Sequence, residues 1–129
     1  SAASDVYKRQ ALVTDSMRGA GMPEGETILG SLKDGQRVII EDGVAKLPDR
    51  SAFAGSVATA DRLVRTIVSL AGVQLADAVK MMTLTPARIM KVDDCKGSLA
   101  VGKDADIVIF DEEINVKTTI IGGKCLTIH

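Results

Sequence analysis

The spacing of apolar residues predicts a helix in the middle of the chain. Over residues 57–71 apolar side chains recur at positions 57, 60, 63, 64, 67, 68 and 71, which form one face of a helix. Gly72 is suited to end this helix, because glycine adopts a positive φ at no steric cost. Two shorter helices are predicted to follow, one over residues 75–83 and one from Thr85 as N-cap to about Met90. The inward face predicted for the first of these comprises Ala76, Val79 and Met82.

Short extended segments precede the helices. Apolar residues predict strands over residues 27–32, 37–41 and 44–47, separated by Asp34-Gly35 and by Asp42-Gly43. An Asp-Gly pair between such segments is a strong hairpin signal, and the two-residue connection at Asp42-Gly43 predicts the tighter turn. Residues 48–56 are predicted to be a loop, so this region is expected to be a small antiparallel meander.

The far end of the chain is rich in strand-forming residues. Glycines at 97, 102, 122 and 123 punctuate two such runs, residues 105–111 and 116–121, which predict a small sheet. The run from Gly97 to Asp104 nearly matches the phosphate-binding loop GxxxxGK[ST]. However, Asp104 replaces the hydroxyl residue that holds magnesium, and a strand follows where a helix is required. A plain turn is the favoured interpretation.

One acidic residue stands at the end of a predicted strand. The apolar run over residues 11–14 predicts a buried strand, and Asp15 follows it into a glycine-bearing stretch over residues 16–25. Barrel enzymes place catalytic groups at such strand ends. An Asp that only caps or turns the chain gives the same pattern, so the spacing alone leaves both roles open for Asp15.

A second candidate is the loop before the central helix. Phe53, Ala54 and Gly55 precede Ser56, which is placed to be the N-cap of the helix predicted from Val57. The free N–H groups at a helix N-terminus can bind an anionic or carbonyl oxygen. Simple capping is the alternative role for Ser56.

Composition excludes several classes of function. The chain has 129 residues, with 16 basic and 17 acidic side chains, so no nucleic-acid partner is expected. Apolar runs have the length of strands, and no membrane span is expected. Cys95 and Cys125 lack CxxC spacing and are interpreted as reduced thiols of a cytoplasmic protein. The single histidine is His129, so neither a metal site with several imidazoles nor a Ser-His-Asp triad can be completed by this chain.

Four motifs together carry a resemblance to a known family. They are Leu12-Val-Thr-Asp15-Ser-Met17, Gly19-Ala-Gly-Met22, Phe53-Ala-Gly-Ser56 and Thr85-Pro-Ala-Arg-Ile-Met90. The chain resembles the C-terminal third of the N-acetylglucosamine-6-phosphate deacetylase family, within the amidohydrolase superfamily, from Ala11 to Lys124. The run from Lys96 to Asp111 is similar to the closing segment of many amidohydrolases, so it supports the superfamily but not the substrate.

The resemblance implies an α/β fold. Residues 11–91 would hold the last strand of a (β/α)8 barrel, a hairpin insertion and helices, and residues 92–129 part of a small β-sandwich. It also implies removal of acetate from N-acetylglucosamine 6-phosphate by a metal-activated water. Asp15 would be the general base, which takes a proton from that water and later gives one to the leaving amine. Phe53, Ala54 and Gly55 would contact the sugar-phosphate substrate through their backbone.

The same resemblance limits what the chain does alone. The family's metal ligands, a glutamate and two histidines, lie upstream. The divalent metal, zinc or a similar ion, is therefore expected in the complete enzyme and none is expected on this chain, which would be an inactive fragment. Two alternatives stay open: a non-catalytic assembly module, or part of another amidohydrolase such as a deaminase or cyclic amidase, against which the loop after Asp15 argues. A lone barrel strand leaves an edge and apolar surface uncovered, so self-association is expected.

Overall fold

The computed structural model describes residues 9–126 and has a mixed α/β fold. Its elements in chain order are β1 (Gly25–Leu29), β2 (Gln36–Glu41), β3 (Val44–Lys46), α1 (Ala60–Ala71), α2 (Leu75–Met82), α3 (Leu84–Ile89), β4 (Ile107–Phe110), β5 (Val116–Ile121) and β6 (Lys124–Leu126). The chain divides into two compact units. The hairpin unit is Val13–Leu63, and the helical unit joins residues 9–12 with residues 64–126. The division at residue 91 expected from the sequence stays a prediction.

The hairpin unit is built on an antiparallel sheet in the order β1-β2-β3. Glu41 pairs with Val44, so Asp42 and Gly43 alone connect β2 to β3. Their φ angles are 53° and 70°, as a type I′ hairpin turn requires. Arg62 braces the turn from outside by donating from Nη1 to the Gly43 carbonyl at 2.7 Å. The predicted meander and its tighter turn are confirmed.

The strand predicted over residues 11–14 is wrong for this structure. These residues join no strand ladder within the described part of the chain. A strand exists only where a neighbouring backbone accepts and donates its hydrogen bonds. In the helical unit the Leu12 N–H instead donates to the carbonyl of Met81, on α2, at 2.9 Å.

Two predicted helix starts are also wrong. α1 begins at Ala60 and not at Val57, because the backbone of Ser56 is engaged in an isolated bridge to Ser16. Ser56 therefore does not cap α1. At the start of α1 the Leu63 N–H donates to the carbonyl of Thr59, the residue just before the helix, at 3.0 Å. Gly72 has φ 65° directly after the last residue of α1, so the predicted helix end is confirmed.

The third helix begins before the predicted N-cap. The Thr83 carbonyl already accepts the N–H of Ala87 at 3.1 Å, which closes the first turn of α3 two residues early. Thr85 lies inside the helix and is buried rather than capping it. Pro86 falls in the first turn, where an N–H has no partner inside the helix and its loss costs little.

The core of the helical unit gathers side chains from α1, α2 and the β4–β5 connection. On α2 the buried residues are Ala78 and Met81, whereas Ala76 is exposed and Val79 and Met82 are half-buried, so the predicted inward face was rotated. The buried cluster consists of Val64, Val73, Ala78, Met81 and Ile114.

The second sheet is antiparallel in the order β4-β5-β6. Its last hairpin turns at Gly122 and Gly123, both with positive φ.

The loop before β4 contains the run that resembles a phosphate-binding loop. In it, Nζ of Lys96 lies 2.8 Å from Asp104 and 2.6 Å from Asp106, and Lys103 Nζ donates to Ser98 Oγ at 2.8 Å. Because Lys103 is folded onto its own loop and a strand follows, the turn interpretation is confirmed. Within residues 9–126 no helix has the length and apolar content needed to cross a membrane.

Candidate functional site

The structure brings the two segments of the predicted site together. Ser16, directly after Asp15, forms a parallel bridge with Ser56, directly after Gly55. The Met17 N–H donates to the Ser56 carbonyl at 2.8 Å, and Ser16 Oγ donates to the Ala58 carbonyl. Strands paired in this way lie about 4.8 Å apart. The bridge therefore joins the residue that follows Asp15 to the residue that follows Gly55.

Asp15 has an uncommon backbone conformation. Its φ is 46°, in the left-handed region, and its side chain is exposed. Aspartate tolerates this region better than most residues, at a cost of roughly 1 kcal/mol. Such conformations persist where surrounding contacts enforce them, and they cluster at functional sites. The next residue, Ser16, is held by its bridge to Ser56.

The loop 53–55 extends the edge of the hairpin sheet. Phe53 forms an isolated antiparallel bridge with Lys46, and the Ala54 N–H donates to the Ala45 carbonyl at 2.9 Å. Ala54 is 5% exposed and Phe53 76% exposed, so the loop backbone is fixed to the sheet while the ring faces outward. A backbone fixed by strand pairing is a preorganised surface for a ligand.

The glycine-bearing loop after Asp15 also lies on this sheet. The Ala20 N–H donates to the Met17 carbonyl and the Met22 N–H to the Gly19 carbonyl, each at 3.1 Å, so the chain makes two tight turns. Gly19 is buried against Ile40 of β2, and a side chain at this position would collide with the Ile40 Cδ1 atom. The sequence predicts this loop but not its packing against Ile40.

The charged groups beside the loop neutralise one another. Glu41 accepts from Arg50 Nε at 2.8 Å and from Lys46 Nζ at 3.2 Å. The hydrogen bond from Arg50, and then that from Lys46, lower the pKa of Glu41 below its ordinary value. A shallow cavity of about 270 Å³ is lined by these two cations with Ser51, Ala52 and Phe53. Lys46 Nζ also lies 3.4 Å from the Asp42 carboxylate, so the two cations that line the cavity are paired with two carboxylates.

The described residues do not fit the divalent metal that the resemblance implies. Within residues 9–126 no group of three or more His, Cys, Asp or Glu side chains could hold a metal ion. His129 lies outside the described residues.

The family of the chain follows from its sequence match. The model of the amidohydrolase family matches residues 8–126, so the chain belongs to the amidohydrolase family. It is 38% identical over 117 residues to the putative N-acetylgalactosamine-6-phosphate deacetylase of Escherichia coli K12, which covers 91% of this chain and 67% of that protein. It is 40% identical over 113 residues to the N-acetylglucosamine-6-phosphate deacetylase of Lysinibacillus sphaericus, with 88% of this chain and 28% of that protein covered.

Solved structures agree with this assignment. N-acetylglucosamine-6-phosphate deacetylase of Thermotoga maritima matches with a TM-score of 0.76 and 32% identity, over 92% of this chain and 31% of that one. A mutant of the Mycobacterium smegmatis enzyme, in complex with N-acetyl-D-glucosamine-6-phosphate, matches with a TM-score of 0.80 and 28% identity, over 95% and 32% of the two chains. The resemblance inferred from the motifs is confirmed, and the chain spans about a third of these solved proteins.

Proposed function

We propose that this chain supplies the general base and the substrate loop of an enzyme that deacetylates an N-acetylated amino-sugar phosphate. The observation that carries the proposal is the Ser16–Ser56 bridge, which joins the residue after Asp15 to the residue after the loop 53–55. Support for the substrate class comes from relatives named as deacetylases of N-acetylglucosamine or N-acetylgalactosamine 6-phosphate.

In the proposed reaction Asp15 moves protons and the loop holds the sugar. The exposed carboxylate accepts a proton from the water that attacks the acetyl carbonyl carbon. When the C–N bond breaks, Asp15 returns that proton to the amine nitrogen, and acetate and the amino sugar phosphate are released. The backbone of Phe53, Ala54 and Gly55 orients the sugar, which keeps the reacting amide beside the base.

The remaining expectations belong to the same proposal. Residues 11–91 would complete a (β/α)8 barrel and residues 92–129 a small β-sandwich. The divalent metal would be held by residues corresponding to the part of the relatives that this chain does not match. The chain would then be inactive alone, would self-associate, and would act in the cytoplasm.

Binding of the reaction product tests the proposal without requiring turnover. Glucosamine 6-phosphate carries an ammonium group, which should lie beside the Asp15 carboxylate. We expect it to shift the amide resonances of residues 53–56 in ¹⁵N spectra of the chain. Asp15→Asn should weaken this binding several-fold, because a charge-assisted contact is lost. It should leave binding of the N-acetylated sugar phosphate, whose amide nitrogen carries no charge, unchanged.

Two controls make the result specific. Asp34→Asn removes an exposed carboxylate from another loop of the hairpin unit and should leave the binding unchanged. Glucose 6-phosphate, which lacks the amine, should bind equally to the wild-type chain and to Asp15→Asn. If the product leaves the amides of residues 53–56 unshifted, or if Asp15→Asn binds it as tightly as the wild-type chain, the proposed site is wrong.

A further inference from the structure

Met17 contacts the residue after the loop 53–55 and the glycine-bearing loop that follows Asp15, and it has no part in the reaction described above. It lies two residues after Asp15 and is half-buried in the hairpin unit. Its N–H donates to the Ser56 carbonyl at 2.8 Å. Its sulfur accepts the Gly19 N–H at 2.9 Å. One residue therefore contacts the glycine-bearing loop and the end of the substrate loop.

The side chain of Met17 also fills the space beside Gly55. A methyl group built on Gly55 would lie 3.2 Å from Met17 Cγ and 3.4 Å from Met17 Cβ. The same methyl would lie 3.4 Å from Leu29 Cδ1, on β1. Any side chain at position 55 would therefore crowd Met17 and Leu29. A long, unbranched thioether suits such an irregular gap.

We infer that Met17 is a positioning residue, which sets the separation between the Asp15 carboxylate and the backbone of the substrate loop. The inference rests on the proposed roles of Asp15 and the loop. The hydrogen bond from the Met17 N–H to the Ser56 carbonyl holds the two segments together at the bridge. The Met17 side chain limits how closely Gly55 can approach. Small errors in such distances reduce catalysis strongly, because the base must lie within hydrogen-bond reach of the proton it takes.

The separation can be measured by removing the charge of Asp15. Amide nitrogens near a carboxylate shift when its charge is removed, and the effect falls steeply with distance. We expect the amide resonances of Gly55 and Ser56 to differ between the wild-type chain and Asp15→Asn at one fixed pH. This difference is the carboxylate response.

In Met17→Ala the response is the difference between that variant and Met17→Ala combined with Asp15→Asn. It should be smaller than in the wild-type chain by roughly half or more, since the field of the carboxylate weakens as the loop moves away. Met17→Leu keeps the bulk but not the sulfur, so it should retain most of this response while the Gly19 amide shifts. The matched control is Met22→Ala, which truncates a half-exposed methionine of the same loop and should behave as wild type. A full response in folded Met17→Ala, or an equal loss in Met22→Ala, would overturn the inference.

A second measurement covers the case in which Met17→Ala does not fold. In the wild-type chain, nuclear Overhauser contacts should join the Met17 γ protons to the Gly55 α protons, and their absence would overturn the inference. Neither measurement uses the sugar phosphate. If the product fails to bind while these contacts and the carboxylate response are present, the proposed function fails and the geometric role of Met17 stands.

Discussion

Replacing Gly55 by alanine tests how tightly the loop 53–55 packs against Met17. Gly55 has φ 85°. A side chain in this region costs roughly 1–2 kcal/mol, of which the lower unfolded-state entropy of alanine offsets about 0.4–1 kcal/mol. The new methyl would also lie 3.2 Å from Met17 Cγ, and overpacking of this kind adds at least about 1 kcal/mol. We therefore expect Gly55→Ala to lower the free energy of unfolding by about 1.5–2.5 kcal/mol.

Gly21 provides the matched control for this substitution. It has φ 76°, but a methyl group built on it meets nothing within 4 Å. Gly21→Ala should therefore show the backbone term alone, about 0.5–1 kcal/mol. Urea unfolding followed by far-ultraviolet circular dichroism measures both variants, and exchange of the Met17 amide hydrogen measures the local effect. Equal losses in the two variants would refute the reasoning, because the loop could then move away from Met17 without cost.

Three further predictions concern the helical unit. Met81→Ala should destabilise by about 2–5 kcal/mol, because its side chain is 2% exposed, whereas Met90→Ala, 71% exposed, should change stability by less than about 0.5 kcal/mol; urea unfolding compares them. The Lys117 ammonium, and then the Asn115 N–H, hold the pKa of Asp111 well below its ordinary value. The stabilisation is thus present above the unfolded pKa, near 4, and is lost as pH falls toward the folded one; wild type should lose more stability than Asp111→Asn between about pH 5 and pH 2. Burial, and then the Asp94 and Asp104 charges, raise the pKa of the Cys95 thiol, so iodoacetamide should modify it more slowly than exposed Cys125 in peptide mass analysis.

Elements whose partners are local could be predicted from the sequence. The hairpin at Asp42-Gly43 depends on two residues that accept positive φ and on the strands beside them, and it formed as expected. Gly72 ends α1 for the same local reason. In these cases the physical cause lies within a few residues of its effect.

Elements that depend on distant partners could not be predicted. The residues at 11–14 have the composition of a strand but lack a strand beside them in the described part of the chain. Ser56 has the chemistry of an N-cap, but its backbone is taken by Ser16, which shifts the start of α1 to Ala60. For α2, the predicted face was wrong because the core around Ile114 selects Ala78 and Met81.

The candidate site also has parts that the sequence predicts and parts that depend on distant partners. The residue types of Asp15 and of the loop 53–55, taken with the family resemblance, were enough to nominate them. Neither motif indicated that Ser16, after Asp15, would be bridged to Ser56, after the loop. Nor was the contact of Met17 with Gly55, since methionine at this position is equally compatible with an ordinary core role.

The serine bridge also determines when the site forms. Ser16 Oγ bonds to a carbonyl 42 residues further along the chain, while β1, β2 and β3 pair through short connections. Hairpins form within about 1–10 μs, and closing a longer loop before them carries a larger entropic cost. The sheet should therefore fold first and shorten the path that the bridge must close. During synthesis Asp15 emerges well before Ala58, so we expect the pairing of their two segments to be the last feature of the hairpin unit to form.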